Sequence, residues 1–155
     1  MKNPHSYFMI FFVALILVIS GCGEDGNPVA GDNNGEHTRA YGLKISSSGV
    51  TVVNYFKDQP VQGGLNATVG DTTAHFEIEF FDQDSSMFVP NPGTQELRWT
   101  IENEANVSVW QHPGEEGGFE FHLIGLQAGL TTIEFQVYHE THPDFVSKEI
   151  PVTVQ

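Results

Sequence analysis

The sequence predicts an all-β sandwich, and the first observation behind this prediction is that apolar and polar side chains alternate along much of the chain. In chain order, the strongest alternating segments lie at 74–80, 97–101, 119–123, 133–137 and 150–154. Weaker segments of the same kind lie at 43–46, 50–56 and 107–111. A period of two is typical of a strand with one buried face, whereas an amphipathic helix would have a period of 3.6.

The second observation is that turn-forming residues separate these segments. Examples are Gly63-Gly64, Asn91-Pro92 and Gly117-Gly118. About seven or eight short strands within roughly 115 residues is the pattern of an immunoglobulin-like Greek-key β-sandwich. A jelly roll or a small barrel is the alternative architecture.

The net charge of the chain limits the classes of molecule that it is expected to bind. The chain has 155 residues with 6 Lys+Arg against 20 Asp+Glu, which gives a formal net charge of −14. Proteins that bind nucleic acid present Lys and Arg to the phosphates, so we expect no nucleic-acid partner. Cations suit such a surface better.

The N-terminal segment 1–21 has the features of a secretory signal peptide. Lys2 precedes an apolar run from Tyr7 to Ile19, and the small residues Ser20 and Gly21 follow. This run of about 13 residues is short for a transmembrane helix, which needs about 20. We therefore expect export and cleavage rather than a membrane-spanning anchor.

The residues Ile19-Ser20-Gly21-Cys22 resemble the lipobox of bacterial lipoproteins, and Cys22 is the only cysteine of the chain. The resemblance implies a diacylglycerol thioether at Cys22 and an acylated (palmitate-type) amine, which makes the lipid bilayer a partner. Several acyl chains together give stable anchoring. Gly23, rather than aspartate, follows the cysteine and by the same resemblance favours the outer membrane, with either its periplasmic or its surface face.

Between the anchor and the strands, the segment 22–40 has few apolar side chains and regularly spaced glycines. Such a composition predicts a flexible tether. The remaining segment, 41–155, has the size of one compact domain.

Part of this domain, 65–154, resembles the bacterial immunoglobulin-like domains of group 2 type. The resemblance lies in VGDT at 69–72, Trp99 within LRWTIEN, GLQAGLTTI at 125–133 and IPVTV at 150–154. It implies a sandwich, in which Trp99 is expected to be the core tryptophan. It does not specify a function, because this fold hosts adhesion, spacing and ligand binding alike.

The motifs of several enzyme classes are missing from the sequence. It contains no G-x-S-x-G, no H-E-x-x-H and no phosphate-binding glycine loop, and lipidation would consume its one cysteine. We therefore expect a non-catalytic protein.

The histidines are the residues that suggest chemistry. We label the predicted segments 74–80, 97–101, 107–111, 119–123, 133–137 and 150–154 as strands B to G. In an immunoglobulin-like topology the B–C, D–E and F–G loops emerge at the same end. On the predicted strands this end would collect a ligand set for Zn²⁺ or copper. The set is His112, His139, His142, Glu115, Glu116 and Asp144. The alternative is that His139 is a hydrogen-bonded residue at the edge of the core while the other histidines are simply exposed.

A second group of polar residues is expected on the outer face of a sheet, because strands B and E are neighbours in such sandwiches. Its members are His75, Glu77, Glu79, Glu120 and His122. Polar alternation is normal on a solvated strand face, so we favour an ordinary hydrophilic surface there.

Two functions are compatible with this sequence. The first is a non-catalytic, membrane-anchored envelope lipoprotein whose domain is a binding or spacer module for an envelope protein or a polysaccharide. The alternative is a metal-handling lipoprotein that holds Zn or Cu at the histidine-rich end. No other cofactor is expected, and composition does not choose between the two.

Overall fold

The computed structural model describes residues 37–155, and within that range the secondary structure consists of twelve β-strands without any helix. The predicted signal peptide 1–21, the lipidation site Cys22 and most of the tether 22–40 lie outside the described residues. No helix able to cross a membrane occurs in the described part of the chain.

The strand bounds follow. They are β1 (Gly42–Ser47), β2 (Val50–Phe56), β3 (Gln62–Gly63), β4 (Leu65–Ala67), β5 (Phe76–Phe81), β6 (Met87–Phe88), β7 (Gln95–Ile101), β8 (Val107–Trp110), β9 (Glu120–Gly125), β10 (Gly129–His139), β11 (His142–Val146) and β12 (Ile150–Val154).

The strands form two sheets. The first has the order β3-β2-β1-β5-β9-β8, with β6 beside β5; the second has the order β11-β10-β12-β4, with β7 also paired to β10. All paired strands are antiparallel except β4 and β12, which run parallel. This two-sheet arrangement confirms the predicted all-β, immunoglobulin-like sandwich.

The core lies between the inner faces of the two sheets, where the alternating apolar side chains meet. Ile78 of β5, Phe121 of β9 and Phe135 of β10 are 1%, 0% and 0% exposed. The rings of Phe121 and Phe135 lie 4.8 Å apart and join the two sheets. Burial of each such side chain contributes about 1.5–3 kcal/mol, so the period of two in the sequence accounts for the pairing of the layers.

Trp99 differs from the expected central core tryptophan. It packs against the core from β7 but is only partly buried, while its strand neighbour Leu97 is 2% exposed. Its cross-strand partner is Phe135. The centre of the sandwich is therefore filled by phenylalanine rings, and Trp99 lies at its margin.

Four short strands, β3, β4, β6 and β11, were not among the predicted segments. The most important of them is β11, because the residues from His142 to Asp144 were expected in a loop. They form a strand that pairs with the end of β10, and the register shifts between Val137 and Tyr138.

A buried asparagine organises the turn between β9 and β10. The backbone carbonyl of Asn106 accepts hydrogen bonds from the amides of Leu126 and Gln127, and its side-chain Nδ2 donates to the Gln127 carbonyl at 3.1 Å. At Gly125 a Cβ atom would lie 2.3 Å from the carbonyl oxygen of Thr68, so only glycine fits there.

Three of the strands at the sheet edges are short. Edge strand β3 has two residues, β8 has four and β4 has three. On the outer side of β7, the amide of Leu97 donates a hydrogen bond of 2.7 Å to the carbonyl of Gly117. The loop that follows β8 thus covers part of the longest edge.

Candidate metal centre

Four side chains with metal-binding atoms lie together at the end of β10 and β11. They are His37, His139, His142 and Asp144, and one ligand atom from each lies within 4.8 Å of the others. We call these four residues the pole site.

The β10–β11 hairpin positions two of the imidazoles. His139 ends β10, His142 begins β11, and the two residues are register partners across the hairpin. The tight turn between them places Glu140 in the left-handed region with φ 49°. Asp144 follows His142 by two residues and has no register partner, because it lies at the bulge between Pro143 and Phe145.

The distances within the pole site suit coordination of one ion. Nδ1 of His37 lies 3.1 Å from Oδ1 of Asp144, and Nε2 of His142 lies 3.3 Å from the same oxygen. Ligand atoms bound at about 2.0–2.1 Å in a tetrahedral zinc site lie about 3.3 Å from one another. The shorter of these contacts is a hydrogen bond between the His37 ring and the Asp144 carboxylate.

Asp144 is held in place through its second oxygen. The side chain is only 4% exposed, and Oδ2 accepts hydrogen bonds from the Thr38 amide at 2.8 Å and from Nε2 of Gln95 at 3.1 Å. Burial by itself raises the pKa of the Asp144 carboxyl, but these hydrogen bonds and the neighbouring His37 ring outweigh it and hold the pKa below its usual range. An ionised, fixed carboxylate therefore faces the imidazoles with Oδ1.

His139 contributes an atom that lacks a partner. The residue is 8% exposed, and its Nδ1 is buried with no hydrogen-bond partner among residues 37–155. Buried polar atoms are nearly always paired, because leaving one unpaired costs about 1–3 kcal/mol. The His139 ring lies 5.2 Å from the His37 ring and 5.9 Å from the His142 ring. Two other imidazoles of the pole site therefore lie next to the His139 ring.

The structure brings together three residues of the predicted set and separates three others. His139, His142 and Asp144 meet at the pole site, whereas His112 lies in another histidine group. Glu115 and Glu116 are exposed in the loop after β8, outside both groups. The physical reason for the position of His112 is that β8 ends at Trp110, opposite His122 in the middle of β9, so His112 does not reach the pole.

His37 was missed because it falls within the segment predicted as tether, 22–40. Its side chain and the Thr38 amide both contact Asp144, so this part of the predicted tether is attached to the domain. The one signal in the sequence is a histidine among glycine, asparagine and acidic residues just before the first strand.

The second histidine group consists of His75, His112 and His122, and we call it the face cluster. It unites two residues of the predicted outer-face group with His112. Of the others, Glu79 pairs with Lys44 at 2.5 Å, and Glu120 lies 3.6 Å from Nδ1 of His75. Glu77 is exposed and outside the cluster.

Neither a protein-family model nor a curated protein sequence matches the chain. Among solved structures, the chain is similar to S-layer protein SbsC. Domains 5-6 match at 22% identity and a TM-score of 0.40 over 59% of this chain and 39% of that one. Domains 4 and 5 match at 22% identity and a TM-score of 0.40, over 68% of this chain and 56% of that one. Domains 4-9 match at 21% identity and a TM-score of 0.41, over 73% of this chain and 17% of that one. The chain thus spans less than two thirds of each, and similarity at this level carries no argument about function.

Proposed function

We propose that this protein is a non-catalytic envelope lipoprotein whose β-sandwich binds one divalent transition-metal ion, Zn²⁺ or Cu²⁺, at the pole site. The observation that carries the proposal is the convergence of three imidazoles on a buried, ionised carboxylate beside an unpartnered His139 nitrogen.

The donor set selects the class of ion. Three imidazole nitrogens and one carboxylate oxygen suit Zn²⁺ and Cu²⁺, whereas Ca²⁺ and Mg²⁺ prefer a shell of six or more oxygens. Zn²⁺ is the reference ion because the two ligand spacings of 3.1 and 3.3 Å are close to those of a tetrahedral site. The hydrogen bonds from Thr38 and Gln95 to Asp144 supply the outer contacts that orient a ligating carboxylate.

The same donor set favours holding an ion over catalysis. A catalytic zinc site keeps one coordination position open for water or substrate, and four protein ligands leave a tetrahedral ion none. Because His37 precedes β1 while the other ligands lie on the β10–β11 hairpin, a bound ion would also fasten the start of the domain to that hairpin.

The lipid anchor rests on the lipobox resemblance at Cys22. Under this proposal the bilayer of the outer membrane is the partner of the N-terminal end. The free part of the tether would end near His37, and a flexible coil of about 15 residues would span roughly 20–25 Å. The metal-binding domain would then stand close to the lipid surface.

Isothermal titration calorimetry on the purified full-length protein near neutral pH tests the proposal. We expect saturable Zn²⁺ binding, and we expect the double variant His139→Ala, His142→Ala to lose one equivalent while keeping its folded circular dichroism spectrum. Glu140→Gln, in the same turn, is the matched control and should bind as the parent does.

Two results would overturn metal binding at the pole site. One is the absence of tight Zn²⁺ or Cu²⁺ binding by the parent, and the other is binding that the double variant retains in full. The binding or spacer module for an envelope protein or polysaccharide would then be the function that remains.

A further inference from the structure

The face cluster draws three histidines from three neighbouring strands of the first sheet. His75 directly precedes β5, His122 lies within β9, and His112 lies two residues after the end of β8. Strand β9 pairs with β5 on one side and with β8 on the other, so the three residues meet across the sheet. Because Phe121 and Leu123 are fully buried, His122 between them points to the outer face.

A backbone carbonyl determines which ring nitrogen of His122 carries the proton. Its Nδ1 lies 2.7 Å from the carbonyl oxygen of Thr73, which can only accept a hydrogen bond, so Nδ1 carries the proton. In the neutral ring Nε2 then presents a lone pair, and it lies 3.3 Å from Nε2 of His112. A histidine whose other nitrogen donates to a carbonyl is the usual arrangement of a metal ligand.

Thr73 itself is held on both sides, so its carbonyl is a rigid support. Its amide donates to the Leu123 carbonyl at 2.9 Å, and its hydroxyl oxygen accepts from the Leu123 amide at 2.9 Å. The orientation of the His122 ring is therefore set by the sheet, which lowers the entropy cost of binding an ion.

The rings of the cluster are packed rather than dispersed in solvent. The His75 ring lies 4.2 Å from the His122 ring and 5.1 Å from the His112 ring. The indole of Trp110 forms one wall, 4.5 Å from the His112 ring. All three histidines are half-buried, so the group is ordered yet open to solvent on one side.

From these contacts we infer that the face cluster is a second transition-metal site, which binds Cu²⁺ through the imidazoles of His75, His112 and His122. An all-nitrogen donor set without thiolate suits Cu²⁺, which forms the most stable complexes of the divalent first-row ions. Three ligands on an open face leave a coordination position for a group from solvent or from a partner. The site shares no residue with the pole site and does not depend on it.

Trp110 supplies the readout, because a bound Cu²⁺ quenches the fluorescence of an adjacent indole. The full-length protein with His139→Ala and His142→Ala, which lacks two pole-site ligands, is titrated with Cu²⁺ near neutral pH. We expect saturable quenching at one equivalent, and an electron paramagnetic resonance spectrum with nitrogen hyperfine structure from imidazole ligands.

Further substitutions in that background test the assignment. His112→Ala and His122→Ala should each remove the quenching, and Glu77→Gln, an exposed residue on the same face, should leave it unchanged. Trp110→Phe should abolish the fluorescence change while the resonance spectrum of bound Cu²⁺ remains. Thermal melting without metal shows whether each variant is folded.

The inference is overturned if the parent background shows no saturable Cu²⁺ binding, or if quenching and the nitrogen signal persist in a folded His112→Ala, His122→Ala variant. Since the pole site is disabled in every one of these proteins, failure here leaves the proposed function untouched, and loss of Zn²⁺ binding at the pole leaves this site untouched.

Discussion

Nδ1 of His37 lies 3.1 Å from Oδ1 of Asp144, although 107 positions of sequence separate the two residues. The next amide, that of Thr38, donates to the other oxygen of the same carboxylate. The residues that precede β1 are thus attached to β11, and the domain starts before its first strand. Under the proposed function, His37 is therefore expected to be one of the metal ligands of the pole site.

We expect His37→Ala to weaken Zn²⁺ binding at the pole by about 10–100-fold without unfolding the domain, because one of four ligands is lost from an exposed position. Competition calorimetry against a chelator of known affinity measures the change, with Glu140→Gln as control. Unchanged affinity would show that His37 is only a hydrogen-bond partner of Asp144.

Metal binding at the pole is also expected to fall as the pH drops below about 6, since imidazoles bind metals only in their neutral form and protons compete for the same lone pairs. Zn²⁺ titrations of the parent at a series of pH values measure this dependence. Binding that is constant from pH 7 to about pH 5 would point to carboxylate ligands instead.

Asn106→Ala is expected to destabilise the domain by about 2–3 kcal/mol. Asn106 is 5% exposed, and its side chain accepts a hydrogen bond from Nδ2 of the Asn103 side chain and donates one to the Gln127 carbonyl. The substitution removes both bonds. Urea denaturation gives the free energy of unfolding. Gln127→Ala, at an exposed position of the same turn, should change it by less than about 0.5 kcal/mol. Equal effects at the two positions would contradict this role of Asn106.

In the core, we expect Phe135→Ala to cost about 3–5 kcal/mol and Trp99→Ala about 2 kcal/mol, because Phe135 is 0% exposed whereas Trp99 lies at the margin. Thr100→Ala, on the exposed side of β7, should have little effect. The three free energies of unfolding come from denaturant titration. A larger loss at Trp99 than at Phe135 would show that the tryptophan is the central core residue after all.

Tyr55 gives the stability a dependence on alkaline pH. Burial raises the pKa of Tyr55 above its ordinary value, and this prevails over the hydrogen bond from the Lys148 amide, which lowers it. The protonated Tyr55 hydroxyl therefore contributes fully to stability below about pH 10, and this contribution is lost as the pH rises through the pKa of Tyr55 in the folded protein. Tyr55→Phe removes the hydrogen-bond acceptor of the Lys148 amide, so at about pH 8 we expect it to lower the free energy of unfolding by about 1 kcal/mol relative to the parent. This difference should shrink above about pH 10.

Urea midpoints measured between about pH 8 and pH 11 test this dependence. Tyr41→Phe, at a half-buried tyrosine, should keep the pH profile of the parent. A constant difference between Tyr55→Phe and the parent across this range would contradict the expectation.

Under the proposed function, Cys22→Ser should abolish lipid attachment, because the thiol would carry the diacylglycerol thioether and the chain has no other cysteine. Detergent phase separation of cell fractions distinguishes the lipidated protein from a soluble or unprocessed one. A processed variant that still partitions into the detergent phase would exclude the lipoprotein assignment.

The sequence predicted the long strands well because their signal is local. Each of β5, β7, β9, β10 and β12 has one buried face, and the alternation this imposes is visible over five or more residues. Strand β11 has no such alternation, since it begins His142-Pro143-Asp144 and its pairing follows from the hairpin with β10. Proline is accepted there because the strand lies at the edge of its sheet.

Members of the candidate sites could be predicted from the sequence only where a local hairpin brings the residues together. His139 and His142 face each other across a hairpin, so their spacing of three residues was informative. His37 joins them through a long-range contact for which no sequence period exists. His112 was assigned to the wrong group because its place depends on the pairing of β8 with β9, which leaves it beside His122.

The short edge strands determine how copies of this domain meet. An exposed edge is a template on which another chain can add a strand, and β3, β4 and β8 offer only two, three and four residues for such pairing. The loop after β8 occupies part of the edge of β7 through the Leu97 amide. With a net charge of −14 on the chain, neighbouring copies also repel one another. Short strands and like charge therefore both disfavour strand pairing between neighbouring copies along these three edges.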